Sequence, residues 1–324
     1  MAGAGIMNVL ITGITGLVGS HLADYLVEFP QVRVFGFKRW RSNPRNIAHL
    51  VNRVAMLEGD VEDPSSVELA LRQSQPSRIF HLAAQSYPRE SWDAPIATFN
   101  ANVVGTINLL EAVRRLGLST VVHIACSSAE YGYILPEEVP ITEDHPLRPL
   151  SPYGVSKVAQ ELLGYQYAAN FGLRTVMTRS FNHIGPRQGD RCAVQTFCKQ
   201  VAEIEAGLKP PVVKVGNLAP RRDFSDVRDV VRALWLLAEK GRPGEVYNLC
   251  SGQAPTIGEI LDQVLSMARV PMQVEVEEAR LRPSDEPILL GDNSKLRRDT
   301  GWSPQIPLAQ SIADILDFWR QELT

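Results

Sequence analysis

The sequence lacks the features that mark several classes of protein. Its 33 lysines and arginines face 36 aspartates and glutamates, so no basic excess is present for nucleic acid or a membrane surface. No uninterrupted apolar run reaches the ~18 residues of a membrane-spanning helix. The 4 cysteines form no Cys-x-x-Cys pair, which argues against a zinc site and a disulfide framework. Residues 1–13 lack the charged region of a signal peptide, so we expect a cytoplasmic protein with reduced cysteines.

Short apolar runs and amphipathic segments alternate through the first half of the chain. The pattern predicts strands over 7–13, 32–38, 54–60, 78–84, 119–128 and 173–181. It predicts helices over 19–27, 65–72, 100–116, 153–171, 257–268 and 308–321. Strands that are apolar on both faces and alternate with helices are typical of an α/β fold with a doubly wound parallel sheet of the Rossmann type.

The chain changes character after about residue 185, where proline, arginine and aspartate become more frequent and the elements shorter. We therefore expect a Rossmann domain over 1–184 and a smaller α/β lobe over 185–324. Residues 217–250 are expected to return to the first domain.

A glycine-rich turn follows the first predicted strand and opens the first predicted helix. Gly13, Gly16 and Gly19 would permit a tight turn, close approach of a pyrophosphate and close helix–strand packing. The N–H groups at the helix N-terminus would face the phosphates. An ordinary glycine-rich turn is the alternative, but the position after strand one favours a dinucleotide site.

The end of the second predicted strand indicates which dinucleotide is bound. Residues 37–42, Phe-Lys-Arg-Trp-Arg-Ser, contain no carboxylate to accept from a ribose 2′-hydroxyl, and Arg39 would suit a 2′-phosphate. We therefore expect NADP(H) rather than NAD(H), with a solvated basic loop as the alternative. Asp60 ends strand three, where it would accept from the adenine amino group or form a turn.

Tyr153 and Lys157 are four residues apart, which would place both side chains on one helix face. A neighbouring ammonium would lower the pKa of the phenol, and such a tyrosine can exchange a proton with a carbonyl or alcohol oxygen. Ser127-Ser128 ends a predicted strand, where a hydroxyl would hydrogen-bond the same oxygen or belong to a turn; we expect Ser128 in the first role. Tyr-x-x-x-Lys pairs are common on helices, so this pair alone does not establish an active site.

Taken together, these motifs resemble the extended short-chain dehydrogenase/reductases that act on nucleotide sugars. The matching segments are TGITGLVGS (12–20), HLAAQS (81–86), SSAEYG (127–132) and SPYGVSK (151–157). Within that superfamily, the chain resembles the GDP-mannose 4,6-dehydratase and GDP-4-keto-6-deoxy-mannose reductase group. That closer resemblance is carried by residues 38–50, 179–188, 215–231 and 281–302.

The resemblance implies reduction of the C4 ketone of a GDP-4-keto-6-deoxy-hexose by NADPH, with Ser128, Tyr153, Lys157 and Glu130 as catalytic candidates. Implied cofactor contacts are Gly13, Thr15, Gly16, Leu17, Val18, Arg39, Asp60, Val61, Leu82, Ala83, Ala84, Ser86, Asn102, Tyr153, Lys157 and His183. Asn102 would act on Lys157 through water. Implied substrate contacts are Ser86, Ser128, Glu130, Asn182, Lys199, Arg222, Arg282 and Asp285.

The dehydratases of this group carry Ser or Thr, one residue, Glu, one residue and then Tyr-Gly. Counted from Ser128, this chain keeps Glu130 but lacks the residue before Tyr131-Gly132, which favours the reductase. The alternatives are the 4,6-dehydratase, a nucleotide-sugar 4-epimerase and a non-catalytic cofactor-binding protein. Helices 100–116 and 153–171 would pair with those of a second copy in a homodimer.

Overall fold

The computed structural model of the protein describes residues 5–280 and 287–323. In these residues the strands, β1 to β13 in chain order, are Met7–Thr12, Val32–Lys38, Val54–Glu58, Arg78–His81, Val121–Ser127, Arg174–Ser180, Asn182–Ile184, Val212–Val215, Arg221–Arg222, Phe224–Asp226, Val246–Leu249, Gln273–Val276 and Ile288–Leu289. The α-helices, α1 to α11, are Leu17–Val27, Pro64–Ser74, Pro88–Asp93, Pro95–Phe99, Gly105–Arg115, Pro152–Phe171, Ala193–Glu205, Val227–Lys240, Ile257–Ser266, Ser294–Thr300 and Leu308–Glu322.

A 7-stranded sheet with the order β11-β6-β5-β4-β1-β2-β3 forms the centre of the fold. Every neighbouring pair in it is parallel. One apolar core lies between the sheet and helices α1 and α8, and a second lies between the opposite face and helices α2, α5 and α6. The predicted doubly wound α/β fold is confirmed. Strand order reverses between β1 and β4, and ligands of such sheets bind beyond the carboxyl ends of the strands at this point.

The predicted helix over 100–116 differs from the structure at its start. A π-helical turn, Asn100–Val104, joins α4 to α5, so that one helical stretch runs from Pro95 to Arg115. This stretch of 21 residues has the length and hydropathy of a membrane span, with 44% of its most apolar window buried. A core helix of a soluble protein passes the same test. Here α5 packs against α2 and α6.

The second half of the chain supplies a smaller apolar core among α7, α9 and α11, where β8 pairs with β12 in parallel. Two further short pairs are parallel, β10 with β7 and β13 with β9. β11 joins the edge of the large sheet beside β6, and α8 packs against α1. The division into domains at residue 184 remains a prediction.

Candidate active site

The glycine-rich turn connects β1 to α1 and can accept only glycine at two positions. Gly13 has a φ of +70°, and a Cβ there would lie 2.8 Å from the backbone nitrogen of Ala83. A Cβ on Gly19 would lie 2.4 Å from the carbonyl oxygen of Gly13. Gly16 is the N-cap of α1 and has no side chain to satisfy the first N–H groups of that helix. The turn therefore fits a bound pyrophosphate, with Thr15, Leu17 and Val18 alongside.

The ends of β2 and β3 lie beside this turn in the sheet. Lys38 pairs with Glu58 at 2.7 Å, whereas Arg39 is exposed at the end of β2, where a 2′-phosphate would lie. Asp60 is half-buried, and its carboxylate accepts the Glu62 N–H at 3.2 Å, as a turn-forming aspartate does; its contact with the adenine stays a prediction. Val61 is buried against Gly105 of α5.

The segment after β4 is held in place from both sides. Thr12 Oγ1 accepts the N–H groups of Leu82 and Ala83 at 3.2 and 3.1 Å. Asn102 is buried and bonds Gln85 through its Oδ1 and Ser156 through its Nδ2. These direct bonds give Asn102 a role in holding this loop, and its expected action on Lys157 through water stays a prediction. Ala84 is half-buried and Ser86 is exposed.

Tyr153 and Lys157 lie in the first turns of α6, as the spacing predicts. Ser151 caps the helix by accepting the Gly154 N–H at 3.1 Å, and Pro152 occupies its first position. The Lys157 Nζ lies 5.7 Å from the centre of the Tyr153 ring. Both side chains are buried.

The pKa of Tyr153 differs from the expectation. Burial raises it to about 12, and a hydrogen bond with the side chain of Ser127 opposes this rise. The Lys157 ammonium donates to Ala125 O and Gln160 Oε1, each at 2.7 Å. At neutral pH Tyr153 is therefore a protonated phenol that can donate its proton.

Ser127, rather than Ser128, is the serine whose side chain interacts with the Tyr153 phenol and lowers its pKa. Ser127 is the last residue of β5 and is half-buried, whereas Ser128 is buried in the short 3₁₀ turn that follows. Counted from Ser127, the dehydratase pattern fits the chain without a missing residue, because Tyr131-Gly132 then falls at the expected spacing. The position of the dehydratase glutamate is then occupied by Ala129.

Glu130, a candidate for catalysis and substrate contact, is fully buried beneath the strand end. Its carboxylate accepts the Ser127 N–H at 2.9 Å and lies 3.5 Å from Arg179, which also pairs with Glu161 at 2.6 Å. Burial and the neighbouring Glu161 raise the pKa of Glu130 well above its ordinary value. The structure therefore gives Glu130 the turn-capping role. Sequence reasoning missed Arg179 and Glu161, although a charged residue within an apolar strand is a signal for a buried partner.

The next candidate ligand contacts lie between Asn182 and Lys199. Asn182 Nδ2 donates to Asp223 O at 3.0 Å. His183 is half-buried, its Nε2 is buried without a hydrogen-bond partner in the described residues, and burial lowers its pKa to about 4. A neutral imidazole with an unsatisfied nitrogen fits contact with a ligand. Lys199 is paired with Asp190 and lies over the Trp319 ring, and its expected contact with substrate stays a prediction.

Arg222 lies in β9, half-buried, and donates from Nη1 to Arg221 O at 3.0 Å. Arg282 and Asp285 lie outside the described residues.

A family model described as GDP-mannose 4,6 dehydratase matches residues 10–315 of the chain. The chain belongs to this family. The predicted class of extended short-chain dehydrogenase/reductases, NAD(P)-dependent oxidoreductases of nucleotide sugars, is confirmed.

The relatives of this chain are named for two different activities. The GDP-6-deoxy-D-mannose reductase of Pseudomonas aeruginosa is 33% identical over 316 residues, covering 98% of each chain. A GDP-mannose 4,6-dehydratase of Vibrio cholerae is 29% identical over 347 residues, covering 95% of this chain and 92% of its own.

Solved structures of related proteins share the whole fold. The structure of RMD from Pseudomonas aeruginosa complexed with NADPH has a TM-score of 0.85 at 31% identity, covering 98% of this chain and 100% of that chain. A UDP-glucose 4-epimerase from Thermotoga maritima with UDP-glucose has a TM-score of 0.86 at 26% identity, with the same coverage.

Proposed function

We propose that this protein uses NADPH to reduce the C4 ketone of GDP-4-keto-6-deoxy-D-mannose to a GDP-6-deoxyhexose of the GDP-rhamnose type. The observation that carries this proposal is Ala129 at the position of the dehydratase glutamate, beside the intact set of Ser127, Tyr153 and Lys157. Alanine cannot remove the C5 proton that a dehydration requires, whereas a ketone reduction needs no base at that position. The similarity to the Pseudomonas aeruginosa reductase supports the same activity.

The residues present fit NADPH. Gly13, Gly16 and the start of α1 would hold its pyrophosphate, Arg39 its 2′-phosphate, and Lys157 and His183 its nicotinamide half. When bound, NADPH supplies a hydride to the ketone carbon. The sugar nucleotide would be held by Asn182 and Arg222 and, outside the described residues, by Arg282 and Asp285.

The protein's own contribution is to supply a proton to the oxygen as negative charge develops on it. Tyr153 carries a proton at neutral pH because its pKa is about 12, and an alkoxide is more basic than a phenolate. Ser127 Oγ accepts the Ala129 N–H at 3.2 Å, so its own proton can be donated to the Tyr153 oxygen or to the substrate oxygen. General-acid catalysis of this kind contributes about 10²- to 10⁴-fold.

The 4,6-dehydratase is the second candidate because the family model and the Vibrio cholerae relative carry that name. A 4-epimerase is a third, in view of the Thermotoga maritima structure. Both of these reactions recycle their cofactor, whereas the proposed reduction consumes one NADPH for each ketone.

The deciding experiment supplies purified protein with NADPH and either GDP-4-keto-6-deoxy-mannose or GDP-mannose. We expect a loss of absorbance at 340 nm that is stoichiometric with the keto sugar, and NMR of the product identifies its C4 configuration. Formation of a 4-keto sugar from GDP-mannose without loss of NADPH would contradict the proposal and establish the dehydratase.

We also propose that the protein forms a homodimer through the outer faces of α6 and of the helical stretch from Pro95 to Arg115. Val155, Leu162 and Tyr165 of α6 are exposed, as are Val104 and Ile96 on the other stretch, whose α4 and π turn pack against α6. Exposed apolar side chains on neighbouring helices fit a protein–protein contact. Light scattering should give twice the chain mass of 35.9 kDa, and Leu162→Glu should give the monomer. A monomer in the unaltered protein at all concentrations would refute this assignment.

A further inference from the structure

A chain of buried side-chain hydrogen bonds leads away from the active-site lysine. The Lys157 ammonium has three protons, of which one is donated to Ala125 O and one to Gln160 Oε1. Gln160 follows Lys157 by one turn of α6 and is 1% exposed. Neither the sequence motif nor the proposed chemistry uses this glutamine.

The orientation of the Gln160 amide is determined by its second contact. Thr106 Oγ1 donates its one proton to Asn102 O at 2.6 Å and therefore accepts from its other neighbours. Gln160 Nε2 donates to that oxygen at 2.7 Å. The amide oxygen must then face Lys157, whose ammonium can only donate.

The same logic continues to the glycine-rich turn. His81 Nε2 lies 3.1 Å from Thr106 Oγ1 and must donate to it, so His81 Nδ1 accepts from Thr12 Oγ1 at 2.9 Å. Burial lowers the pKa of His81 to about 3, so the ring is neutral and carries one proton, as this arrangement requires. Thr12 in turn accepts the N–H groups of Leu82 and Ala83. Each hydroxyl and ring nitrogen of the chain thus has one consistent role.

We propose that Gln160 is the positioning residue of Lys157, with Thr106 setting its amide and with His81 and Thr12 connecting it to the glycine-rich turn. Gln160 provides a neutral acceptor that keeps the buried ammonium charged and directed, and leaves one N–H for the ribose of the cofactor. The consequence for turnover rests on the proposed reductase activity. The effect on Lys157 itself does not.

The surroundings of Lys157 show why a neutral acceptor matters. Burial lowers the pKa of Lys157, whereas Cys126 and Glu130 raise it. His81 and His123, on β4 and β5, are neutral because burial lowers the pKa of each to about 3. Because these histidines carry no charge, a change in the acceptor at residue 160 should change the pKa of Lys157 directly.

Two substitutions of Gln160 should move the alkaline limb of the pH profile of kcat/KM in opposite directions. This limb reports loss of a proton from the Tyr153–Lys157 pair. Gln160→Leu removes the acceptor and should shift the limb to lower pH by about one to two units, with a loss of about ten- to hundredfold in kcat/KM. Gln160→Glu supplies a carboxylate and should shift it to higher pH. Thr106→Val should shift the alkaline limb in the same direction as Gln160→Leu. Thr106→Ser keeps the hydroxyl and should leave the pH profile unchanged.

Gln200→Leu is the matched control. Gln200 is another buried glutamine, on α7, and bonds both the N–H and the C=O of Lys214. Its loss should lower the melting temperature and leave the alkaline limb in place. If both Gln160 variants fold and shift the limb in the same direction, or do not shift it, the proposal is wrong.

A second measurement does not depend on turnover. NMR of protein labelled with [ε-¹³C]lysine, with Lys157→Arg to assign the signal, follows the titration of Lys157 without substrate. Gln160→Leu should lower its pKa and Gln160→Glu should raise it. If the unaltered protein fails to reduce the keto sugar, the proposed function fails, and this titration still decides the role of Gln160; an unchanged Lys157 titration in both variants would overturn that role.

Discussion

Replacing Ser127 by alanine should slow the reaction far more than replacing its neighbour Ser128. The Ser127 side chain lowers the pKa of the Tyr153 phenol, and its Oγ accepts the Ala129 N–H at 3.2 Å through a lone pair, which leaves the hydroxyl proton for another acceptor. Removing a donor to a developing oxyanion costs about 10²- to 10³-fold in kcat. Ser128 is buried in the turn, so Ser128→Ala should change the activation free energy by less than about 1 kcal/mol.

The assay is single-turnover oxidation of NADPH by the keto sugar, followed at 340 nm. Ser127→Ala also loses the cap of the 3₁₀ turn at Ser128–Glu130, which costs about 1 kcal/mol of stability, so melting temperatures must be compared. Ser127→Thr keeps the hydroxyl and should retain most of the rate. NADPH fluorescence should show that the cofactor still binds to each variant.

The same substitution has a spectroscopic consequence. The Ser127 hydrogen bond lowers the pKa of Tyr153, which is nevertheless about 12 because of burial, so Ser127→Ala should raise it further. Ultraviolet difference spectra at high pH, with Tyr153→Phe as the blank, measure this change. A large loss of rate in Ser128→Ala together with a normal rate in Ser127→Ala would refute the assignment.

Three further predictions concern the proton donor, the turn and the buried histidines. Tyr153→Phe should reduce turnover by about 10²- to 10⁴-fold while NADPH still binds, and a nearly normal rate would remove Tyr153 as the acid. Gly19→Ala places a Cβ 2.4 Å from Gly13 O and should weaken NADPH binding by about tenfold or more in a fluorescence titration. Gly5→Ala is the control, because a Cβ there has nothing within 4 Å and should leave NADPH binding unchanged. His81 and His123 have pKa values of about 3 in the folded protein and about 6.5 in the unfolded chain. As pH drops below about 6.5 the unfolded chain takes up protons first, so the free energy of unfolding falls. The loss is about 1.4 kcal/mol per pH unit for each histidine, and urea denaturation at pH 7 and pH 5 should show a shallower fall in His123→Gln; equal stability at both pH values would contradict this.

The sequence was sufficient to predict the sheet because its strands are short, apolar on both faces and separated by helices. Predicted strand 32–38 matches β2 exactly, and predicted helix 153–171 differs from α6 by one residue at its start. The glycine-rich turn and the Tyr153–Lys157 pair could be identified because spacing along one strand–turn–helix unit or one helix fixes their geometry. The connection of α4 to α5 through a π turn has no comparable signal.

Contacts between distant segments could not be predicted in the same way. Lys199 has no mark in the sequence that distinguishes a partner of Asp190 from a phosphate ligand. The chain from Lys157 through Gln160 and Thr106 to His81 joins residues of α6, α5 and β4. A histidine at the end of an apolar strand and a threonine within a helix each signal that a buried polar group needs a partner, but only the packing of the helices on the sheet identifies that partner.

The two serines at the end of β5 illustrate how one residue of register changes a functional assignment. Ser127 is the last residue of β5, whereas Ser128 begins the 3₁₀ turn and is buried within it. Counting from Ser128 places Glu130 where a dehydratase has its base and leaves the chain one residue short. When the count starts from Ser127, which interacts with Tyr153, the dehydratase pattern has no missing residue and Ala129 occupies the position of the glutamate. Glu130 is then buried, accepts the Ser127 N–H and lies beside Arg179. Glu130 is therefore not the counterpart of the dehydratase base, and its carboxylate holds the backbone of Ser127 instead.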